Sequence, residues 1–349
     1  MSARRLLAIP LLLALAGCGG GGEEGSAPPG PDASGDDVTQ TPAGGFTNPV
    51  YATNFPDPHI LADGEGGYVA FATNGNAMNV QTATSEDLVT WRQGSDALPQ
   101  LPRWSTPGKV WAPETIAWSD GTYRMYYTTA LSGEDRQCIS VASAPTAAGP
   151  YVDESEEPLL CEIDEGGSID TSPFVASDGT AYLYWKNDGN HIGVDTFIRV
   201  ARLSEDGLAI EGEHTDVLQQ DLPWEDMLVE GPSLWEHDGR FHMFYSGNGF
   251  WTDRYAVGHA VADSPTGPFT KDEEPVLTTN DVAAGPGHNS LIQVGDQVWM
   301  VYHAWVPGAV GDELEGRQMW LSRVTFTGDG SVEVEPPTVH HPTLPEEGE

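Results

Sequence analysis

The sequence predicts an all-β chain folded as one five-bladed β-propeller, and three observations support this prediction. Five segments share an alternating apolar strand, a Gly-containing turn and a second strand rich in aromatic residues, namely 57–73, 111–128, 170–186, 230–246 and 288–303. The aromatic residue after each turn recurs at intervals of 55, 59, 59 and 58, at Tyr68, Tyr123, Tyr182, Phe241 and Trp299. Helical periodicity is missing outside the N-terminal residues, whereas Gly and Pro are plentiful. A β-sandwich is the alternative, but the even spacing argues against it.

The outer strands of the blades are predicted from a second, weaker repeat. Residues 143–159 and 264–277 share a Gly-Pro-aromatic step and a Glu-Pro pair followed by Leu or Val. Residues 85–98 are a more distant relative of these two segments. Since such segments follow the aromatic-rich hairpins, we expect each of the five blades to contain four strands.

The N-terminal residues have the features of an export signal. Arg4 and Arg5 form a basic start, and residues 6–15 form an apolar run too short to span a bilayer. Leu-Ala-Gly then precedes Cys18, which resembles the lipobox of bacterial lipoproteins and implies lipidation of Cys18. Residues 1–18 are thus predicted to be a lipoprotein signal peptide, and the exported protein to be anchored to the membrane or cell surface by its lipid. Ordinary secretion, with cleavage a few residues later, is the alternative.

Composition predicts the remaining boundaries. Residues 19–45 contain Gly, Pro, Ser and acidic residues with almost nothing to bury, which indicates a disordered tether. Residues 341–349 have a similar character and are predicted to be a disordered tail, with His340 and His341 at its start. Residues 46–340 then form the propeller domain, and the repeat favours one domain over two.

Two cysteines remain after the signal, Cys138 and Cys161. A remaining pair in an exported protein usually forms a disulfide. Such a bond would contribute about 3 kcal/mol to the free energy of unfolding in the chain-entropy model. We therefore expect a structural bond and not a redox centre.

The chain is strongly acidic, with 15 Lys and Arg against 53 Asp and Glu and a formal net charge of −38. Such a field repels phosphate backbones and anionic polymers, whereas neutral sugars are not repelled. We therefore expect no nucleic-acid partner and membrane contact only through the N-terminal lipid, and the charge remains compatible with a neutral polysaccharide or oligosaccharide. We expect a monomer.

The starts of the five repeated segments are the predicted functional positions. In a propeller the first strand of each blade lines the central axis, so these starts converge at one mouth of the channel. They carry Asp57, Trp111 with Glu114, Asp170, Glu230 and His288. Carboxylates that meet in a partly dry site raise each other's pKa, which favours a chemical role over a structural one. Hydrolysis of a glycosidic bond needs two carboxyl groups, one to protonate the leaving oxygen and one to activate water or attack the sugar.

The motifs around these positions resemble those of glycoside hydrolase family 43. They are Phe55-Pro56-Asp57-Pro58, Trp111-Ala112-Pro113-Glu114, Ile169-Asp170-Thr171-Ser172-Pro173-Phe174, Glu230-Gly231-Pro232-Ser233-Leu234, Gly287-His288-Asn289-Ser290 and Tyr302-His303-Ala304-Trp305. Each motif alone is weak, but together and in order they extend the resemblance over residues 48–326. It implies that Asp57 is the general base, Glu230 the general acid, and Asp170 the residue that holds the acid and tunes its pKa. It also implies inversion, with base and acid carboxyls about 6.5–9.5 Å apart.

Four further positions match the family less specifically. Trp111 would form an apolar wall for the sugar, or else be a buried blade aromatic. His288 would bond the sugar or the base; in arabinan-cleaving relatives the equivalent histidine belongs to a central metal site, often calcium. Calcium prefers oxygen ligands, so we expect no required cofactor and keep a structural Ca²⁺ near the axis as the alternative. Arg317 would reach the innermost sugar and the acid, and Glu114 would support the site without a catalytic role.

The resemblance implies an inverting glycosidase on arabinose- or xylose-containing plant polysaccharides. An α-L-arabinofuranosidase or arabinan endo-1,5-α-L-arabinosidase is favoured, with a β-xylosidase of the same family as the alternative. A non-catalytic, surface-anchored glycan-binding propeller is the alternative of another class. Exo or endo action depends on loops 99–109 and 189–196, which could block the mouth. The other histidines, His191, His214 and His259, are expected on the surface or within blades.

Overall fold

The computed structural model describes residues 44–343 and residue 345, and almost all of its regular structure is β-strand. In chain order the strands are β1 (Phe46–Thr47), β2 (His59–Ala62), β3 (Tyr68–Ala72), β4 (Gln81–Ser85), β5 (Arg92–Gln93), β6 (Ser105–Ala117), β7 (Tyr123–Leu131), β8 (Gln137–Ala144), β9 (Ser168–Val175), β10 (Ala181–Asn187), β11 (Phe197–Leu203), β12 (Ile210–Gln219), β13 (Val229–His237), β14 (Arg240–Gly247), β15 (Ala256–Ala262), β16 (Thr270–Lys271), β17 (Ala284–Val294), β18 (Gln297–Trp305), β19 (Arg317–Phe326), β20 (Val332–Val334) and β21 (His340–His341). A 3-10 turn (Ile163–Glu165) and a short helix α1 (Gly189–Ile192) complete the described elements. The predicted signal peptide with Cys18, and most of the predicted tether, lie outside the described residues.

The strands form five antiparallel blades, as the repeat predicted. The sheet orders are β2-β3-β4-β5, β6-β7-β8, β9-β10-β11-β12, β13-β14-β15-β16 and β17-β18-β19-β20. The inner strands pack on one another in a closed ring, β2 on β6, β6 on β9, β9 on β13, β13 on β17 and β17 on β2. The five-bladed propeller is therefore confirmed, with the first strand of each blade at the axis.

The prediction of four strands in every blade is wrong for the second blade. Its sheet has three continuous strands, and the fourth is reduced to the isolated bridges Ser143↔Val152 and Ile139↔Leu160. The segment between these bridges contains Pro158, and Pro150 lies two residues before the first of them. Because proline cannot donate a backbone hydrogen bond, this stretch cannot form a continuous ladder.

The two ends of the propeller domain close the ring. Strand β1 pairs with β21, and Phe46 lies opposite His341. The side chain of His341 is buried and stacks on the Phe46 ring at 4.8 Å between centroids. The prediction that a disordered tail begins at His341 is therefore wrong, because His341 covers the apolar edge formed by Phe46 and Trp299. Asn48 adds a reciprocal pair of hydrogen bonds with the backbone of Leu321.

The hydrophobic core is divided into clusters between neighbouring blades. The repeated aromatics take part in them: Trp299 and Tyr68 lie in the cluster that joins blade five to blade one, and Tyr123 packs between blades one and two. Tyr182 and Phe241 belong to the cluster between blades three and four. Each fully buried large apolar side chain contributes about 1.5–3 kcal/mol. The repeated aromatics thus stabilise three of the blade interfaces, whereas other side chains fill the remaining two.

A disulfide bond joins Cys138 on β8 to Cys161, 23 residues later. The segment that follows Cys161 is attached to the third blade, since Arg199 forms ion pairs with Glu162 and Glu165. The bond therefore links the second blade to a turn that contacts the third. In the part of the chain that the structure describes, no helix is long and apolar enough to cross a membrane.

Candidate active site

At the same mouth of the channel, each blade has a residue with a left-handed backbone in its inner strand or, in the first blade, two residues before it. These mouth residues are Asp57 (φ 57°), Ala112 (φ 41°), Asp170 (φ 56°), Gly231 (φ 55°) and His288 (φ 48°). A shift of strand register accompanies them in the second to fifth blades. A non-glycine residue costs roughly 1–3 kcal/mol in this conformation, so the bulges store strain at the mouth. Trp111 and Glu230 lie one residue before the mouth residues of their blades.

A second ring of side chains binds these strained positions. The last residues of the five repeated segments are Thr73, Thr128, Lys186, Ser246 and His303, here called the capping residues. In four of the five steps around the ring, a capping side chain accepts the backbone N–H of the next blade's mouth residue. The pairs are Thr73 Oγ1 with Ala112 (2.9 Å), Thr128 Oγ1 with Asp170 (3.1 Å), Ser246 Oγ with His288 (2.8 Å) and His303 Nδ1 with Asp57 (3.1 Å). These bonds satisfy buried donors that the bulges remove from the strand ladders.

The step from the third to the fourth blade differs from the other four. Its capping residue is Lys186, which cannot accept a hydrogen bond. The Gly231 N–H is bound instead by Asp170 Oδ2 at 3.2 Å. Asp170 therefore fixes the backbone next to Glu230.

One cavity of about 360 Å³ brings the sequence-predicted site residues together. It is lined by Asp57, Thr73, Trp111, Ile169, Asp170, Lys186, Asp188, Asn190, His191, Glu230, Phe250, Trp251, His288 and Arg317. Trp111, Phe250 and Trp251 offer aromatic faces against which a sugar ring can pack. Catalytic and recognition groups predicted from five blades thus share one chamber.

Asp57 is buried and held as an anion. Its Oδ1 accepts a hydrogen bond from Arg317 Nη1 (2.8 Å), and its Oδ2 accepts one from Thr73 Oγ1 (2.5 Å). Nδ1 of His303 and of His288 lie 3.3 and 3.5 Å from Oδ1. Burial raises the pKa of Asp57, but Arg317 and the two histidines outweigh it and hold the pKa well below its usual value. The carboxyl group is therefore ionised, which is the form that a general base requires.

Asp170 has the opposite electrostatic balance. Burial is the main cause that raises its pKa to about 6, and the carboxylates of Glu230 and Asp57 act in the same direction. His288 and Lys186 oppose this rise. Two neighbouring carboxyl groups with different environments are the arrangement that acid and base chemistry requires.

Glu230 is held through both of its oxygens. The Tyr255 hydroxyl donates to Oε1 at 2.7 Å, and the Lys186 ammonium donates to Oε2 at 3.2 Å. The Tyr255 ring stacks on His303, with centroids 5.7 Å apart and planes within 7°. Since His303 accepts the N–H of Asp57, packed side chains connect the two carboxyl groups predicted to be acid and base.

One sequence expectation changes in the structure. Arg317 binds Asp57, the predicted base, and not the predicted acid, because it begins β19 in the fifth blade, beside the first. His191 is exposed, as expected, and it also lines the cavity and pairs with Asp135 at 3.1 Å. Loop 189–196 reaches the cavity through Asn190 and His191, whereas the cavity lining includes none of the described residues 99–109.

Glu114 lies outside the cavity, deeper along the axis. It is buried, and its Oε2 is 3.8 Å from His59 Nδ1 on the neighbouring inner strand. Burial raises the pKa of Glu114 well above its usual value. The sequence placed this residue beside the chemistry without a catalytic role, and the position is compatible with that assignment.

Several cavity residues were missed by sequence reasoning. The sequence offered a reason to select Lys186, because it ends the third repeated segment. Among the capping residues it is the one with a permanent positive charge, which could reach a carboxylate. Asp188 follows it by two residues. Tyr255 had no signal, since it lies in the connection before β15 and outside every repeated segment.

The residues at the mouth do not supply the donor set of a calcium ion. Calcium takes six to eight oxygen ligands, whereas both oxygens of Asp57 beside His288 already accept hydrogen bonds. Among residues 44–343 and 345, no group of three or more His, Cys, Asp or Glu is arranged to hold a metal. No catalytic step is therefore derived through a metal.

The geometry agrees with comparisons to known proteins. A family model described as Glycosyl hydrolases family 43 matches residues 46–332. The crystal structure of a thermostable family-43 glycoside hydrolase has a TM-score of 0.79 and 30% sequence identity, and the match covers 87% of this chain and 100% of that one. The β-D-galactofuranosidase xynD of Aspergillus niger is 29% identical over 276 residues, 73% of this chain and 75% of that protein. A probable arabinan endo-1,5-α-L-arabinosidase A of Aspergillus flavus is 25% identical over 292 residues, 76% of this chain and 88% of that protein.

Proposed function

This chain belongs to glycosyl hydrolases family 43, and on that premise we propose that it is an inverting glycosidase that cleaves α-L-arabinofuranosyl linkages in neutral plant polysaccharides or their oligosaccharides. The observation that supports the proposal most directly is the single cavity in which Asp57, Asp170 and Glu230 meet beside Trp111. Relatives named for galactofuranosides and arabinans favour a furanose ring over a pyranose ring.

Asp57 acts as the general base in this proposal. A water molecule bound to its carboxylate attacks the anomeric carbon from the face opposite the leaving group, and Asp57 takes the water proton. Arg317 is the main cause that keeps the pKa of Asp57 low and its carboxylate ionised. The tethered carboxylate also orients the water, so that bond formation needs little further loss of entropy.

Glu230 acts as the general acid. As the bond between the anomeric carbon and the glycosidic oxygen breaks, Glu230 gives its proton to that oxygen, and the product leaves as an alcohol. Asp170 binds the backbone N–H of Gly231 and thereby fixes the position of the acid. Its negative charge favours the protonated form of Glu230 before the reaction.

The assignment is tested with a substrate panel and two isosteric variants. Wild type is incubated with arabinan, arabinoxylan, xylan, arabino-oligosaccharides and aryl glycosides of arabinofuranose, galactofuranose and xylose, and the first-formed anomer is followed by NMR. We expect release of arabinose units with inverted configuration. Asp57→Asn and Glu230→Gln should each lower kcat by orders of magnitude, because charge but not shape is removed.

The outcomes separate the alternatives. Wild-type turnover by either variant on natural polymer, with unfolding curves like those of the wild type, contradicts the catalytic assignment. Xylose as the main product would replace the arabinoside proposal by the β-xylosidase. Retention of configuration would contradict inversion.

Metal removal tests the expectation that no cofactor is required. Because the mouth does not supply a calcium donor set, activity after EDTA treatment and gel filtration should stay within about twofold of the untreated enzyme. Loss of activity that calcium restores would contradict this expectation and favour a structural ion near His288.

The same proposal places the enzyme outside the cytoplasm, anchored through a lipid on Cys18. The support is the basic start, the short apolar run and the small residues before Cys18. Expression of the full chain in a bacterial host should put activity in the membrane fraction, and Cys18→Ala should abolish incorporation of labelled fatty acid. Unchanged labelling in that variant would contradict the anchor.

A further inference from the structure

Because the fold repeats five times, Lys186 can be compared with the four residues at the equivalent position of the other blades. All five capping residues are buried, and each lies in the second strand of its blade or, for Thr73, directly after it. Thr73, Thr128, Ser246 and His303 each accept the N–H of a mouth residue, which is the structural task of this position. Lysine cannot perform that task, because its ammonium group only donates. The fold alone therefore gives no reason for a lysine in the third blade.

Burying this lysine is also costly. Its side chain is 1% exposed, and moving an ammonium group out of water is repaid only by good partners. The charged groups that face it are Glu230 on β13, Asp170 on β9 and Asp188 in the turn after β10. Lys186 donates to Glu230 Oε2, and Asp170 takes over the capping of Gly231. The exception to the repeat thus coincides with the predicted acid.

From this break in the repeat, and resting on the proposed function, we propose that Lys186 is a positioning residue that holds Glu230 Oε2 as a hydrogen-bond acceptor and so assigns the transferable proton to Oε1. An ammonium group cannot accept a proton, so Oε2 stays deprotonated while Lys186 donates to it. Oε1 faces the Tyr255 hydroxyl, which can donate to it or accept from it. The acid therefore presents its proton from one defined oxygen.

A second consequence concerns Asp170. The ammonium group of Lys186 opposes the rise in the pKa of Asp170. Without Lys186, burial and the charges of Glu230 and Asp57 would raise that pKa further above about 6, since His288 alone would remain to oppose them. Asp170 would then become protonated at higher pH and lose the charge that keeps the proton on Glu230.

The test is Lys186→Thr, which restores the residue type found at this position in the first two blades. We expect kcat on arabino-oligosaccharides to fall by roughly 100-fold, the range of general acid catalysis. On an aryl arabinofuranoside with a good leaving group, which needs little protonation, the fall should be below tenfold, with KM nearly unchanged. The acidic limb of the kcat/KM profile should move to higher pH. The free energy of unfolding should fall, because the substitution leaves the buried Glu230 carboxylate without its cation.

Lys271→Thr is the matched control. Lys271 also forms a buried ion pair, with Glu225 at 2.7 Å, but it does not line the cavity. We expect this variant to lose stability without any change in leaving-group dependence or pH profile. Lys186→Met serves as a second variant if Lys186→Thr does not fold.

The outcomes distinguish this proposal from the proposed function. If the wild type cleaves no glycoside in the panel, the proposed function fails. The role of Lys186 can then still be tested by a ¹³C-carboxyl titration, because the pKa of Asp170 should be higher in Lys186→Thr than in the wild type. If the wild type is active, an equal loss on both kinds of substrate, or no loss, overturns the role of Lys186. An unmoved acidic limb or an unmoved Asp170 titration overturns it as well.

Discussion

Asp188 contributes to the cavity a carboxylate that accepts no hydrogen bond from any residue in the described part of the chain. It is only 8% exposed, and burial raises its pKa. Its backbone is fixed, since its N–H donates to Gly167 O at 2.9 Å. The Oδ1 of neighbouring Asn190 is also buried without a partner among those residues. Unsatisfied acceptors facing a sugar cavity need donors, and the hydroxyl groups of a sugar supply them.

We therefore predict that Asp188 accepts a hydrogen bond from a hydroxyl of the bound sugar. A hydrogen bond to a charged group contributes about 1.5–3 kcal/mol, so Asp188→Ala should lower kcat/KM by roughly 10- to 150-fold. The substitution should be repeated with mono-deoxy arabinosides, each of which lacks one hydroxyl. For the substrate that lacks the hydroxyl bound by Asp188, kcat/KM should be the same in the variant and the wild type. Asp178→Ala, in an exposed turn of the same blade, is the control. Equal losses on all deoxy substrates would contradict the prediction.

Asp170 should limit activity on the acidic side. Its pKa of about 6 means that it gains a proton as the pH falls through that value, and its support of the proton on Glu230 is then lost. We expect kcat/KM to decline below about pH 6 at a constant folded fraction. A profile that stays flat down to pH 5 would contradict this role of Asp170.

The same residue should oppose stability at neutral pH. A raised pKa in the folded state means that folding is penalised above about pH 6, so a neutral isostere removes the penalty. Asp170→Asn should therefore increase the free energy of unfolding at pH 7 by on the order of 1–3 kcal/mol while lowering kcat by orders of magnitude. Urea unfolding and kinetics on one preparation test both parts. Reduced stability at pH 7 would contradict the electrostatic argument.

Elements of the mouth show which features the sequence could predict. Asp57, Asp170 and Glu230 were found because they start repeated segments, and a propeller must bring such starts together. The left-handed backbone of Ala112 has no signal in its residue type, since Gly231 alone among the five mouth residues is a glycine. Tyr255 was missed because its contact with Glu230 depends on how a connection folds back, which no local pattern encodes.

The disulfide bond stabilises the fold and also supports a turn that holds Asp188 at the cavity. Cys161 precedes the turn whose Gly167 carbonyl accepts the Asp188 N–H. Replacing Cys138 and Cys161 together by serine should lower the free energy of unfolding by about 3 kcal/mol in the chain-entropy model. It should also raise KM, because the support of Asp188 is loosened. Urea unfolding and initial rates measure the two effects, and unchanged stability in the double variant would contradict the first.

The sequence predicted the five-bladed propeller but not the contacts between the two ends of the domain. The period of the aromatic residues gave the number of blades, because one such residue recurs after the first turn of each blade. Ring closure depends instead on Phe46 and His341, which lie 295 positions apart in the chain and belong to no repeat. Composition assigned His341 to a tail, whereas the exposed edge of Trp299 and Phe46 requires a cover.

The pH dependence of stability should report on the whole propeller through its buried neutral histidines. Burial, the main cause, lowers the pKa of His59 and of His242 to about 4 and that of His303 to about 3. Each becomes protonated near pH 6.5 when the chain unfolds but not in the folded state, so unfolding takes up protons between about pH 6.5 and 4. Stability should therefore fall as the pH falls through this window, by roughly 2 kcal/mol per histidine at pH 5, and Asp170 offsets part of this loss.

Urea midpoints at pH 7.5, 6 and 5 measure this fall, and His242→Gln isolates one contribution. His242 lies away from the cavity, facing His259 on β15, His237 on β13 and Arg240 on β14, all of which disfavour its protonation. Glutamine can keep a hydrogen bond to His259 but cannot gain a proton. The variant should lose stability at pH 7.5 through poorer packing, yet its midpoint should change less between pH 7.5 and 5 than that of the wild type. An identical change in both proteins would contradict the assignment, because the proton taken up on unfolding would then belong to another group.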